Sequence, residues 1–160
     1  MAEFRAAMEA LGHGSVRTLL NSGNAVFTSA SPSTSRLADT IATMVQERFE
    51  VVTPVIVKSD TDFAAIVSSN PIMPPATDHV RFLVAFAMDP KQLQALEGLH
   101  ALLQPGERFA ITRHAAYLHC AGGLLESKAA EAVLGRAGRS VTTRNWATVL
   151  KLSAAAECKQ

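Results

Sequence analysis

One string in the sequence gathers groups able to hold an anion: Thr142-Thr143-Arg144-Asn145-Trp146. A short strand reads up to Thr143, and Asn145 reads as the cap of a helix. The first-turn N–H groups of a helix lack internal partners and lie at the positive end of its dipole. Arg144 adds a full charge and a two-pronged donor there, and Thr142 and Thr143 add hydroxyls. Phosphate or carboxylate is the matching ligand class. The plainer reading is a capped helix with Trp146 in the core and Arg144 paired to a surface acid.

Ser127-Lys128 repeats the theme at another helix start, as an N-cap and a solvated lysine or as further anion ligands. Tyr117 and His119 share one strand face by period-two spacing. If no helix covers that face, both could line a pocket with Arg144. His119 is then the best-placed general acid or base, with Lys128 or Ser127 assisting. The plainer reading is a half-buried tyrosine and a satisfied histidine. Cys120 points away from His119, which disfavours a Cys-His dyad. His13, His79, His100 and His114 show no metal-ligand spacing, so no metal is expected. No G-x-G-x-x-G and no phosphate-loop lysine motif occurs, so no cofactor is expected. Ser22-Gly23-Asn24 is turn chemistry and a further candidate for ligand contact.

The elements that must position these groups follow from periodicity. Ala2 to Leu11 reads as a helix ended by Gly12 and Gly14. Val16 to Leu20 and Ala25 to Thr28 read as a hairpin around Asn21-Ser22-Gly23-Asn24. Leu37, Ile41, Met44, Val45 and Phe49 form the stripe of the next helix. Val51 to Lys58 reads as a strand. Ser59 caps a helix that buries Phe63, Ile66 and Val67 and stops before Asn70-Pro71. Val80 to Ala87 reads as a buried strand. Asp89-Pro90, with Gln92 at the box position, opens a helix carrying Leu93, Leu96, Leu99 and Leu103. Arg108 to Thr112 and Ala116 to Cys120 read as strands, followed by a helix from Ser127. Val141 to Thr143 and a closing helix from Asn145 end the chain.

The halves repeat the same order of elements without repeating their sequence. The second reads β-α-β-β-α-β plus a closing helix, the order of the ferredoxin-like plait. The first reads the same without its leading strand. The expected fold is therefore α+β, with two tandem ferredoxin-like units, the first N-terminally incomplete. Residues 1–70 form the first unit, 71–78 a Pro-rich linker around Pro71, Pro74 and Pro75, and 79–160 the second. In the plait the first strand lies between the third and fourth, so its absence leaves backbone groups at a cost of about 1–3 kcal/mol each. A start upstream of Met1, a shortened chain, or a strand from a partner or another pairing would each account for it; the upstream start is preferred. Self-association through the incomplete first sheet is the corresponding partner expectation.

The strings Ser22-Gly23-Asn24-Ala25-Val26-Phe27, Tyr117-Leu118-His119, Ser127-Lys128 and Thr142 to Leu152 together resemble the bacterial family known as domain of unknown function 1697. The resemblance runs from Met1 to about Ala156. It implies two ferredoxin-like units in tandem and no particular activity. It also implies a leading strand with a glycine-rich end before the helix that here starts at Met1. The family tends to have asparagine where this chain has Ala147, and glycines where it has Leu124-Leu125-Glu126.

Composition bounds the rest. The chain has 160 residues, 48% hydrophobic and 18% charged, enough for a packed core and against disorder. The net charge of +1 gives no global pull toward nucleic acid or membrane. Residues 1–106 carry 7 basic and 10 acidic side chains, and residues 107–160 carry 8 and 4, which makes the C-terminal half the anion-attracting one. The longest apolar run, Phe82 to Met88, is too short to span a bilayer. Cys120 and Cys158 form no disulfide framework, which fits the cytoplasm. Phe109 and Tyr117 lack the glycine and basic neighbours of an RNA-binding plait, so nucleic acid is not an expected partner. The leading functional expectation is a binding module for a small anionic ligand. An enzyme built on His119 and a structural or oligomerising protein are the alternatives.

Overall fold

The structure, a computed structural model, describes residues 1–158. The chain is α+β and carries two antiparallel sheets, one of two strands and one of four. It divides into two compact units. One is residues 1–60 together with the described residues from 151 on, and the other is residues 61–150.

The first unit opens with α1 (Ala2–Ala10), β1 (Gly14–Leu19), β2 (Asn24–Thr28) and α2 (Thr34–Phe49). β1 and β2 form the hairpin, with Leu19 opposite Asn24 and Thr18 opposite Ala25. Gly23 lies at φ +74° in its turn, where a side chain would be strained. Ser33 caps α2 by accepting from the Arg36 N–H at 3.2 Å. The expected stripe is real: Leu37, Ile41 and Met44 are buried. Ala7, Met8, Val16, Ile41 and Met44 make the core, with Phe4, Phe27, Val45, Phe49, Val55 and Val57 partly buried against it. The Arg17 guanidinium on β1 donates to the carbonyls of Ala155 and, at 2.9 Å, Cys158. These lie at the C-terminal end of α5 (Trp146–Glu157), where a helix leaves carbonyls unsatisfied and favours a cation.

Residues 51–58, expected as a strand, join no sheet. Their β-branched composition still sets an extended, alternating habit, because Val55 and Val57 both pack on the core. Among the described residues the first sheet consists of β1 and β2.

The second unit holds α3 (Asp60–Ser68, from its second residue), β3 (Phe82–Phe86), β4 (Arg108–Ile111), β5 (Ala116–His119), α4 (Lys128–Leu134) and β6 (Thr142–Asn145). The sheet order is β4-β5-β3-β6, with every neighbour antiparallel, so β3 lies between β5 and β6. One face, with Leu83, Ala85, Ala116, Leu118 and Cys120, packs against Leu93, Leu96 and Leu99 and against Ala129, Ala130 and Val133 of α4. Residues Pro90–Leu102, expected as an α-helix, form a 3₁₀ helix. The three buried leucines recur every third residue, the period of that tighter helix. Its start is as expected: Asp89 accepts from the Lys91 N–H at 2.9 Å, and the Asp89 N–H donates to the Gln92 side chain at 3.3 Å.

The opposite face is covered as well. The Tyr117 hydroxyl donates to the Ile66 carbonyl of α3 at 2.6 Å. The Phe63 ring meets Phe86 edge-on at 6.2 Å. These ties explain why α3 belongs with the second sheet and why the unit boundary precedes it, rather than falling at residues 71–78. The Pro-rich stretch runs into a 3₁₀ turn, Ala76–Arg81, that leads directly into β3.

Candidate functional site

Antiparallel register builds the site across three strands. Val84 on β3 stands opposite Tyr117 on one side and Arg144 on the other, so the three share one face in one row. Phe86 stands opposite Thr142, which brings Thr142 to the same face, two residues from Arg144. Thr143 and Asn145 alternate to the other face.

Arg144 is half-buried. Its Nη1 donates to Thr142 Oγ1 at 2.9 Å and to the Thr143 carbonyl at 2.7 Å. Burial lowers its pKa from the ordinary value, and a guanidinium still keeps its proton. Asn145 ends β6 and caps α5, its side-chain oxygen accepting from the Thr148 N–H at 2.9 Å. Trp146, 5% exposed, stands edge-on to Phe82 at 5.7 Å and is a core residue. The helix that follows, α5, is twelve residues long and begins two positions after Arg144.

The remaining expected residues do not all converge there. Tyr117 is fully buried and spends its hydroxyl on Ile66, with Ser69 Oγ at 3.3 Å; burial raises its pKa. It is a core residue, because α3 covers the face whose being uncovered was the condition for a pocket. His119 lies two residues along β5, beside Phe82. Its Nε2 sits 2.8 Å from Asp78 Oδ2, with side chains 11% and 19% exposed. The His119 hydrogen bond is the largest cause holding the Asp78 carboxyl below its usual range; burial opposes it, and the charges of His119 and Arg81 add to it. Asp78 is the residue that sequence reasoning missed. It lies in the stretch read as linker, and only the tertiary fold carries it to β5.

Ser127 and Lys128 stand on the far side of the sheet. Ser127 is buried and caps α4 by accepting from the Ala130 N–H at 3.1 Å. Cys120, on that same face, has its thiol pKa pushed up by burial and bonds Ser127. Lys128 is exposed. The sheet therefore separates His119 from both Lys128 and Ser127. Ser22 and Asn24 belong to the first unit, where the Asn24 amide donates to Ser22 Oγ at 2.8 Å and to the Leu19 carbonyl at 3.3 Å, stapling its own hairpin. Among the described residues no group of three or more His, Cys, Asp or Glu could hold a metal ion. No helix among them is long and apolar enough to cross a membrane.

An α+β chain with two small antiparallel sheets and a polar strand-to-helix corner defines an architecture without a diagnostic catalytic constellation. The chain belongs to the family described as "Protein of unknown function (DUF1697)", whose model matches residues 1–117. The matched span stops before the Thr142 to Leu152 string. Among solved structures it is similar to a conserved bacterial protein, SP0830, from Streptococcus pneumoniae. The two share 22% identity and a TM-score of 0.76 over 98% of this chain and 88% of that one, a likeness of fold. No curated protein matches the chain.

Proposed function

We propose that this protein is a binding module for a small anionic ligand, phosphate- or carboxylate-bearing, seated at the β6–α5 corner. The observation that carries the reading is the half-buried Arg144 guanidinium, anchored by Thr142 Oγ1 and the Thr143 carbonyl beside the start of α5. A cation already withdrawn from water gains more from an anion than an exposed one does. The two bonds described here go to neutral oxygens and leave the charge of the guanidinium in place. Thr142 shares the face of Arg144 and joins it in the set; Lys128 and Ser127 lie across the sheet and are not part of it. An enzymatic role for His119 has Asp78 to orient the ring and no assisting group from α4.

The fold reading that accompanies this is a pair of ferredoxin-like plaits. The order β4-β5-β3-β6 supports it for the second unit, and the hairpin between α1 and α2 supports it for the first. The free thiols of Cys120 and Cys158 are consistent with a cytoplasmic protein.

A thermal-shift screen of nucleotides, sugar phosphates and small carboxylates tests the binding reading. A true ligand at a hundred times its Kd stabilises by about 2.7 kcal/mol. Arg144→Gln is expected to abolish that gain. If no anion stabilises the protein, or Arg144→Gln responds as the parent does, the reading fails.

A further inference from the structure

The segment between α3 and β3 carries a motif that anion binding does not use: Asn70-Pro71-Ile72-Met73-Pro74-Pro75. Each proline fixes φ at about −65°. A residue before proline is pushed out of the helical region toward extended or polyproline II backbone, which restricts Asn70, Met73 and Pro74. Ile72 alone escapes both rules. Pro75 shows the outcome, with φ −61° and ψ 152°, a polyproline II conformation. The strap is tied at both ends. Asn70 is buried, and its side-chain oxygen accepts from the Ile72 N–H at 2.9 Å. Ile72 itself, 4% exposed, sits in the core. At the other end the Pro75 carbonyl accepts from the Asp78 N–H at 2.8 Å, and Asp78 is bonded to His119 of β5. Among the described residues, the carbonyls of residues 71–74 and the Met73 N–H bond to no other part of the chain. Pro71 and Pro75 are exposed, and Met73 is 75% exposed.

We infer that residues 71–75 are a docking strap for a partner protein that reads polyproline II backbone in an aromatic-lined groove. Pro71 and Pro74 stand three positions apart, and the three-residue turn of polyproline II sets such a pair on one ridge. Aromatic rings of the groove pack on the proline rings and on Met73. Tryptophan N–H and tyrosine O–H at their edges donate to the open carbonyls. The prolines and the two end ties order the strap in advance, so little conformational freedom is left to lose on docking. No charged side chain lies between Pro71 and Thr77, so the strap itself offers nothing to a polyanion. A second copy lacks the matching groove, because no aromatic side chain is exposed among the described residues. The occupant is therefore a different polypeptide, and the contact is apolar and insensitive to salt.

Nuclear magnetic resonance on the full chain, with labelled methionine methyls, tests the inference. The probes are two purified domains that read such segments, one of SH3 and one of WW type. At least one of them is expected to shift the Met73 methyl and the Ala76 amide, and to leave the methyl of the buried Met8 unmoved. Pro74→Ala and Met73→Glu are each expected to weaken that binding about tenfold or more. Met73 is exposed, so its substitution leaves the fold intact and decides the matter should Pro74→Ala unfold. If neither domain shifts Met73, or if either folded variant binds as the parent does, the proposal is overturned. A Met73 shift that grows with protein concentration in the absence of any probe overturns it too, by assigning the strap to a second copy.

Discussion

At the scale of single residues, the most informative groups are those whose polar atoms are committed. Asp78 holds its charge because His119 and Arg81 favour it, so its folded pKa is depressed. A depressed carboxylate contributes stability that is present above its unfolded value, near 3.9, and is lost as pH falls through the folded value. Acid unfolding of Asp78→Asn, followed by circular dichroism, is expected to be flatter below about pH 4 than that of the parent. Tyr117→Phe removes the donor to the buried Ile66 carbonyl and is expected to cost about 1–3 kcal/mol in urea denaturation. The same change leaves anion binding at Arg144 intact if the proposed site is right. The Asn145 cap was legible in the sequence because caps are local: asparagine after a short strand and before an apolar stripe identifies it without tertiary information. The Asp78–His119 pair was not legible, because its members stand 41 positions apart and nothing near Asp78 marks a partner.

At the scale of elements, periodicity located most helices and strands, and it erred where neighbours decide the outcome. The Asp89 capping box was read correctly, but a box opens an α-helix and a 3₁₀ helix alike; the three-residue leucine spacing distinguishes them. Leu96→Ala is expected to cost about 2–5 kcal/mol, since that side chain is fully buried between sheet and helix. Residues 51–58 have the composition of a strand and belong to neither sheet, a fact no local pattern contains. The turn after α4 depends on one close approach. A Cβ at Gly138 would lie 1.7 Å from the Val133 carbonyl oxygen, so Gly138→Ala must displace the end of α4. Its melting temperature, by calorimetry, is expected to fall with a loss of about 1–3 kcal/mol.

At the scale of the whole molecule, most elements follow in the order read from the sequence, residues 51–58 excepted, while the units divide elsewhere than at residues 71–78. α3 reads as the closing helix of the first half, yet Tyr117 and Phe86 hold it to the second sheet. The end of α5 reads as part of the second half, yet Arg17 holds it in the first unit. Both misassignments have one cause: closing helices are amphipathic, and their stripes do not say which sheet they serve. The bond between Arg17 and the last turn of α5 also bears on how the protein is made. Chains leave the ribosome N-terminus first, and N-terminal domains usually fold first. Here residues 61–150 emerge as a complete sheet with both faces covered, while the earlier-born hairpin still waits for carbonyls that the ribosome has yet to release. Of these two segments the one synthesised earlier is thus completed later, and in the interval its core stands without the last turn of α5.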